Sequence, residues 1–177
     1  MLMIIFICTL TWMVLFDNQS SVSFVSANAS MPDAIMEGAT TLILNKQGKP
    51  KMKLSAVKMI HFTKNDNTQF VLPQLTFYRD KSPWYVNSHY ASATQGIEHV
   101  QFWQNVIIHY PADEEQPDTI IKTRQLSVHP QQQIAETDEK ITLTQPNLKL
   151  QSKGMHANMQ TGFIKLLSNA RGEYVPH

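Results

Sequence analysis

The sequence predicts an all-β domain of repeated antiparallel hairpins behind one N-terminal apolar segment. Three observations lead there. Residues 84–110 alternate with a period of two in both arms of a candidate hairpin. That unit recurs along the chain. And beyond the N-terminal run no stretch carries helical periodicity.

In the first arm of residues 84–110, Trp84, Val86, Ser88 and Tyr90 share one parity. In the second, Val100, Phe102, Val106, Ile108 and Tyr110 share one parity, while Gln101, Asn105 and His109 fall on the other. Ala93, Thr94, Gln95 and Gly96 supply the turn between them. A small residue or Thr recurs at Ala56, Ser88, Thr123 and Ala157, spaced about 32 to 35 residues apart, within the range of repeat architectures. A hairpin with one apolar face does not fold alone in water, so stacked copies must bury that face or reserve it for a ligand. An ordinary antiparallel sandwich with coincidental spacing is the competing reading.

The chain has 177 residues, enough for one main domain. Charged residues make up 16 % and the net charge is +1, so no broad affinity for nucleic acid follows. The single cysteine, Cys8, excludes an internal disulfide.

Residues 1–16 carry no charge. As a helix they extend about 24 Å, short of the roughly 30 Å hydrocarbon core. Three readings compete: an uncleaved membrane anchor; a signal peptide cut after Ala27-Asn28-Ala29; and a core helix, which an all-β chain disfavours. The anchor reading assigns residues 1–17 to a transmembrane helix, 18–38 to a Ser/Asn/Ala-rich linker and 39–177 to the β-domain.

Along the domain, residues 40–45 form a short strand, Lys46 to Pro50 a turn, and residues 52–59 the return strand. Residues 70–77 form a strand that Pro73 bends or confines to an edge. Residues 111–117 form an acidic loop. Residues 120–128, 133–137, 141–150 and 155–174 complete the pattern.

Catalytic signatures are missing from the sequence: no phosphate-cradling glycine loop and no nucleophile elbow. Of seven histidines none sits in a metal-binding helical motif, and His89, His99 and His109 fall on the polar parity of strands. The chain reads as a non-enzyme without metal or cofactor.

An N-terminal membrane segment, a linker and a repeated β-domain resemble the LptC family of lipopolysaccharide export. The resemblance is carried by Thr41-Leu42-Ile43-Leu44-Asn45 with Gly48, and by Pro73-Gln74-Leu75-Thr76 followed by Trp84-Tyr85-Val86. Ala135-Glu136-Thr137-Asp138 resembles the family's third-unit turn. Ser152-Lys153-Gly154-Met155-His156-Ala157 and residues 166–174 resemble its C-terminal unit.

The resemblance implies a twisted, open antiparallel β-jellyroll in the periplasm, anchored in the inner membrane. It implies lipopolysaccharide received from the inner-membrane ABC transporter (LptB, LptF, LptG) and passed to the bridge protein LptA. An apolar trough would hold the acyl chains, each buried CH₂ contributing roughly 0.8 kcal/mol. Matching groove positions implies Phe70, Ile164 and Tyr174 as lipid contacts; parity adds Phe102 and Leu166. The edge strands, with Leu42 and Leu44 at one end and Ile164 and Leu167 at the other, become the partner-docking surfaces.

Overall fold

The computed structural model describes residues 31–174. The anchor expected at residues 1–17 lies outside them. Among the described residues no helix is long and apolar enough to cross a membrane.

Eleven strands form one antiparallel sheet: β1 (Ala34–Leu44), β2 (Pro50–Phe62), β3 (Asn67–Val71), β4 (Gln74–Phe77), β5 (Trp84–Asn87), β6 (Tyr90–Thr94), β7 (His99–Tyr110), β8 (Thr119–His129), β9 (Ile134–Gln145), β10 (Leu148–Asn158) and β11 (Ile164–Tyr174). The strands β3 and β4 pair with the two halves of β2, and β5 and β6 pair with the two halves of β7. Each couple is therefore one long strand interrupted in its middle, and the topology is a nine-rung meander. Pro73 does what its chemistry dictates, splitting β3 from β4 at Leu72-Pro73.

The interruptions line up. In β1, Gly38 (φ +62°) lies across from Val57. Leu72 (φ +50°) and Pro73 face Ser88-His89, which face Gln104 (φ +61°) and Asn105 (φ +56°). The break continues through Arg124 in β8 and Asp138-Glu139 in β9. It ends at Gly154 (φ +82°) in β10 and Asn169 (φ +52°) in β11. These local bulges form a transverse seam across the whole sheet.

Buried hydroxyls stitch the seam. Ser88 Oγ donates to the Tyr90 carbonyl at 2.6 Å, Thr123 Oγ1 to the Lys140 carbonyl at 3.1 Å and Ser152 Oγ to the Gly154 carbonyl at 3.0 Å. The backbone N–H groups of Leu72 and His89 donate to the carbonyls of His89 and Gln104. Broken ladder bonds are thus replaced locally, as buried backbone requires. The recurrence read from sequence has this origin. Ala56, Ser88 and Thr123 all sit on the seam, because two strands bring the chain back across it in the same direction. Ala157 lies beyond it, and the fourth position belongs to Ser152 and Gly154.

One sheet buries a face to 0–2 % exposure only against a second layer, and here the layer is the sheet itself, folded along the seam. Trp84, Tyr110, Phe77 and Ile108 from one side share a single core with Phe70, Phe102, Leu126 and Met155 from the other. The chain reverses of the two halves meet opposite the seam. A Cβ on Gly162, in the β10–β11 turn, would stand 3.0 Å from Arg79 Nη1 and from Gln116 Nε2. The Arg79 guanidinium lies 5.2 Å from the Tyr110 ring centroid and 4.0 Å from Asp113 Oδ2, which also accepts the Tyr110 hydroxyl.

Three expectations change. The first strand begins at Ala34, inside the stretch assigned to linker. Residues 141–150 are not one strand: β9 ends at Gln145, Pro146-Asn147 turn, and β10 begins at Leu148. Ala135 to Asp138 lies within β9 and crosses the seam there, so it is not a turn.

Candidate lipid-binding trough

The folded sheet makes a trough whose axis crosses the strands, with β1 at one end and β11 at the other. Its filling varies along that axis. In the middle, Trp84, Phe102, Val106 and Leu126 are 0 % exposed, and Trp84 packs on Tyr110 with ring centroids 5.5 Å apart. At the ends the inward side chains are only partly covered. Ala39 and Ile43 of β1, Leu150 of β10, and Ile164 and Leu166 of β11 lean on the core without sealing it. The cause is topological: an edge strand has a neighbour on one side only. Among the described residues β1 pairs only with β2, and β11 only with β10. Each therefore keeps one row of free backbone groups.

The expected lipid contacts divide along this gradient. Ile164 and Leu166 occupy the β11 mouth, half-buried and pointing inward. Phe70 and Phe102 are packed core residues, 2 % and 0 % exposed. The expectation of an unfilled channel fails in the middle, which self-packing fills; at the ends the inward side chains are partly covered. Tyr174 is 66 % exposed at the tip of β11, opposite Leu148. Of the expected docking residues, Leu42, Leu44 and Leu167 are exposed, while Ile164 faces the trough. Sequence reasoning missed Ile43 and Leu150. The parity of Thr41 and Ile43 within residues 40–45 carried the signal for the first; the misplaced strand boundary hid the second.

The outer face carries the histidines among polar side chains and the aromatic rings of Tyr85, Tyr90 and Trp103. His99 and His129 stack with ring centroids 4.9 Å apart, His99 Nε2 lies 2.8 Å from Ser127 Oγ, and His129 Nε2 lies 3.4 Å from Glu136 Oε1. His109 pairs with Asp118 at 2.8 Å. His99 and His129 partly cover one another, and His109 stacks on Tyr85 with ring centroids 6.1 Å apart. Among the described residues no group of three or more His, Cys, Asp or Glu side chains is placed to hold a metal ion.

The family described as "Lipopolysaccharide-assembly, LptC-related" matches residues 1–175. The chain belongs to the LptC family. Its role accordingly lies in lipopolysaccharide transport, a lipid-carrying function. No curated protein matches the sequence. Among solved structures the fold is similar to LptH of Pseudomonas aeruginosa, described as the LptA-homologous periplasmic component of a lipopolysaccharide transport device. The two share 8 % identity, the alignment covers 71 % of this chain and 95 % of that one, and the TM-score is 0.57. At that identity the likeness speaks for fold alone.

Proposed function

We propose that this LptC-family chain is a membrane-tethered periplasmic protein that binds lipopolysaccharide in the folded sheet. It takes the lipid from the inner-membrane ABC transporter (LptB, LptF, LptG) and passes it to LptA. The observation that carries this reading is the exposure gradient: apolar side chains tight in the middle, half-open at both edge strands. An acyl chain entering at either end covers apolar surface already in place, at roughly 0.8 kcal/mol per CH₂. Free edges beside those mouths suit strand addition by a neighbouring domain of the same fold, which continues both sheet and trough.

Passage through the middle requires the two layers to part around Phe70 and Phe102. The chain has no nucleotide-binding motif, so an energised partner drives that step. A photo-crosslinking residue at Phe70 tests the point in cells. Lipopolysaccharide adducts are expected during active transport and are lost when the transporter's ATPase is inactivated. No adduct in transporting cells contradicts passage through the core. The tether is tested separately by the mature N-terminus: a chain beginning at Ser30 makes the protein a soluble carrier of the same fold.

A further inference from the structure

We propose that the concavity where the β1–β2 turn meets the turns of the opposite layer binds the phosphorylated sugar headgroup of an acylated lipid. The β1–β2 turn is held by one of its own side chains. Asn45 Oδ1 accepts the backbone N–H groups of Gln47 and Lys49, each at 2.9 Å. Lys46 and Lys49 therefore project from a fixed loop. Lys51, at the start of β2, points away from the core, since Met52 and Leu54 on the other parity are buried. All three lysines border a concavity of about 730 Å³, a size suited to a small ligand.

The walls of this concavity specify the ligand class. Its apolar wall is Ile43 and Leu44. Ile43 also belongs to the half-covered β1 mouth of the trough, so the concavity and the mouth are continuous. Gln131, Gln133 and Gln160, from the β8–β9 and β10–β11 turns, supply amides that both donate and accept, as sugar hydroxyls require. The remaining wall is cationic. Among the described residues Lys46, Lys49 and Lys51 form no ion pair, and Asp80 is the only carboxylate at the border. Arg79 borders the concavity too, but it stands 4.0 Å from Asp113, so the unpaired cations are the lysines. Nor does the segment balance its own charge: between Glu37 and Asp66 the chain carries six lysines and no carboxylate.

A phosphorylated sugar joined to acyl chains uses all three walls at once. Its phosphate oxygens accept charge-assisted hydrogen bonds from the ammonium groups. Its hydroxyls meet the amides, and its acyl chains pass Ile43 into the trough. A protein partner fits less well, because protein interfaces are depleted in Lys. A free phosphate would leave Ile43, Leu44 and the three amides without a role. The inference rests on the lipid-carrying reading and deepens it, by setting the headgroup at the β1 mouth, outside the packed middle.

The test compares binding of lipopolysaccharide with binding of its dephosphorylated form, by the full chain in detergent. K46Q/K49Q/K51Q removes the three cations, with thermal melts as the folding control. K122Q/K140Q/K153Q makes the same change in net charge on β8 to β10. The native chain is expected to bind the phosphorylated form at least about tenfold more tightly. The first variant should bind both forms equally, and the second should keep the native preference. No preference in the native chain, a preference that survives K46Q/K49Q/K51Q, or one lost equally in both variants overturns the proposal. If neither form binds, the lipid-carrying reading fails by itself, and deacylated lipopolysaccharide decides the headgroup site. Slowed acetylation of Lys46, Lys49 and Lys51 relative to Lys122, read by mass spectrometry, then supports it. Unchanged rates, or equal slowing by inorganic phosphate at the same concentration, overturn it.

Discussion

Gly154 has φ +82°, and a Cβ there would stand 2.9 Å from Leu167 Cδ1 and 3.1 Å from Leu167 Cβ. Backbone and space both demand glycine, where β10 crosses the seam and β11 lies closest. Gly154→Ala should cost about 2 kcal/mol, lowering Tm by roughly 6 °C in thermal melts. Adding Leu167→Ala removes the 2.9 Å contact with Cδ1 but leaves Leu167 Cβ at 3.1 Å and the dihedral unchanged, so the double variant should recover only part of the loss. Asp33 shows the other residue-scale device. The Thr63 N–H donates to Asp33 Oδ2, and the Asp33 N–H donates to the His61 carbonyl at 2.9 Å. The Thr63 amide holds the Asp33 carboxyl below its usual value. A lowered folded pKa means the contribution is present above the ordinary carboxylate range, near pH 4, and lost as pH falls through the lowered value. Amide exchange at residues 34–37 should accelerate on acidification below that range more in the native chain than in Asp33→Asn; equal pH dependence in the two would remove Asp33 from the account.

At the scale of elements, the two edge strands make separable predictions. Leu42 on β1 is 51 % exposed and Leu167 on β11 is 48 % exposed. A carboxylate at either should leave the sheet folded while disrupting strand addition along that edge. Leu167→Glu is expected to reduce LptA capture at least tenfold and leave transporter association intact; Leu42→Glu should do the reverse. Co-purification of the complexes, with thermal melts as the folding control, reads both. Loss of both contacts in each variant would show that the edges do not divide the partners.

Some elements were legible because local chemistry decides them. Pro73 cannot donate to a ladder, and the strand breaks there. Gln95 (φ +53°) and Gly96 (φ +70°) make the expected turn between β6 and β7. Others were hidden because local chemistry is indifferent to them. Gly38 with its left-handed dihedral interrupts the pattern of Ala34 to Leu44, so half of β1 read as linker. The inward side chains switch parity across the two-residue turn at Pro146-Asn147, from Ile141 and Leu143 to Leu148 and Leu150, and the continuous apolar character of residues 141–150 masked that switch.

For the whole molecule, the hidden fact was the fold of the sheet onto itself. Gln104 and Asn105 form a bulge that leaves Phe102 and Val106 on the same parity, so β7 looks uninterrupted in the sequence. The repeat spacing of Ala56, Ser88 and Thr123 recorded the seam without revealing that it bends. Once bent, the single sheet turns a flat apolar face into a packed core whose two ends stay half-covered. The trough also explains why Phe70 and Phe102 alone do not locate the entrance: self-packing closes the centre, and the edges stay half-covered.

The most direct measurement is a photo-crosslinking scan of residues 164–167 in the full chain with lipopolysaccharide. Ile164 and Leu166 face the trough, and Lys165 and Leu167 face away. The account predicts lipid adducts at 164 and 166 and their absence at 165 and 167. Adducts independent of parity, or none at the two inward positions, would contradict lipid binding between the layers.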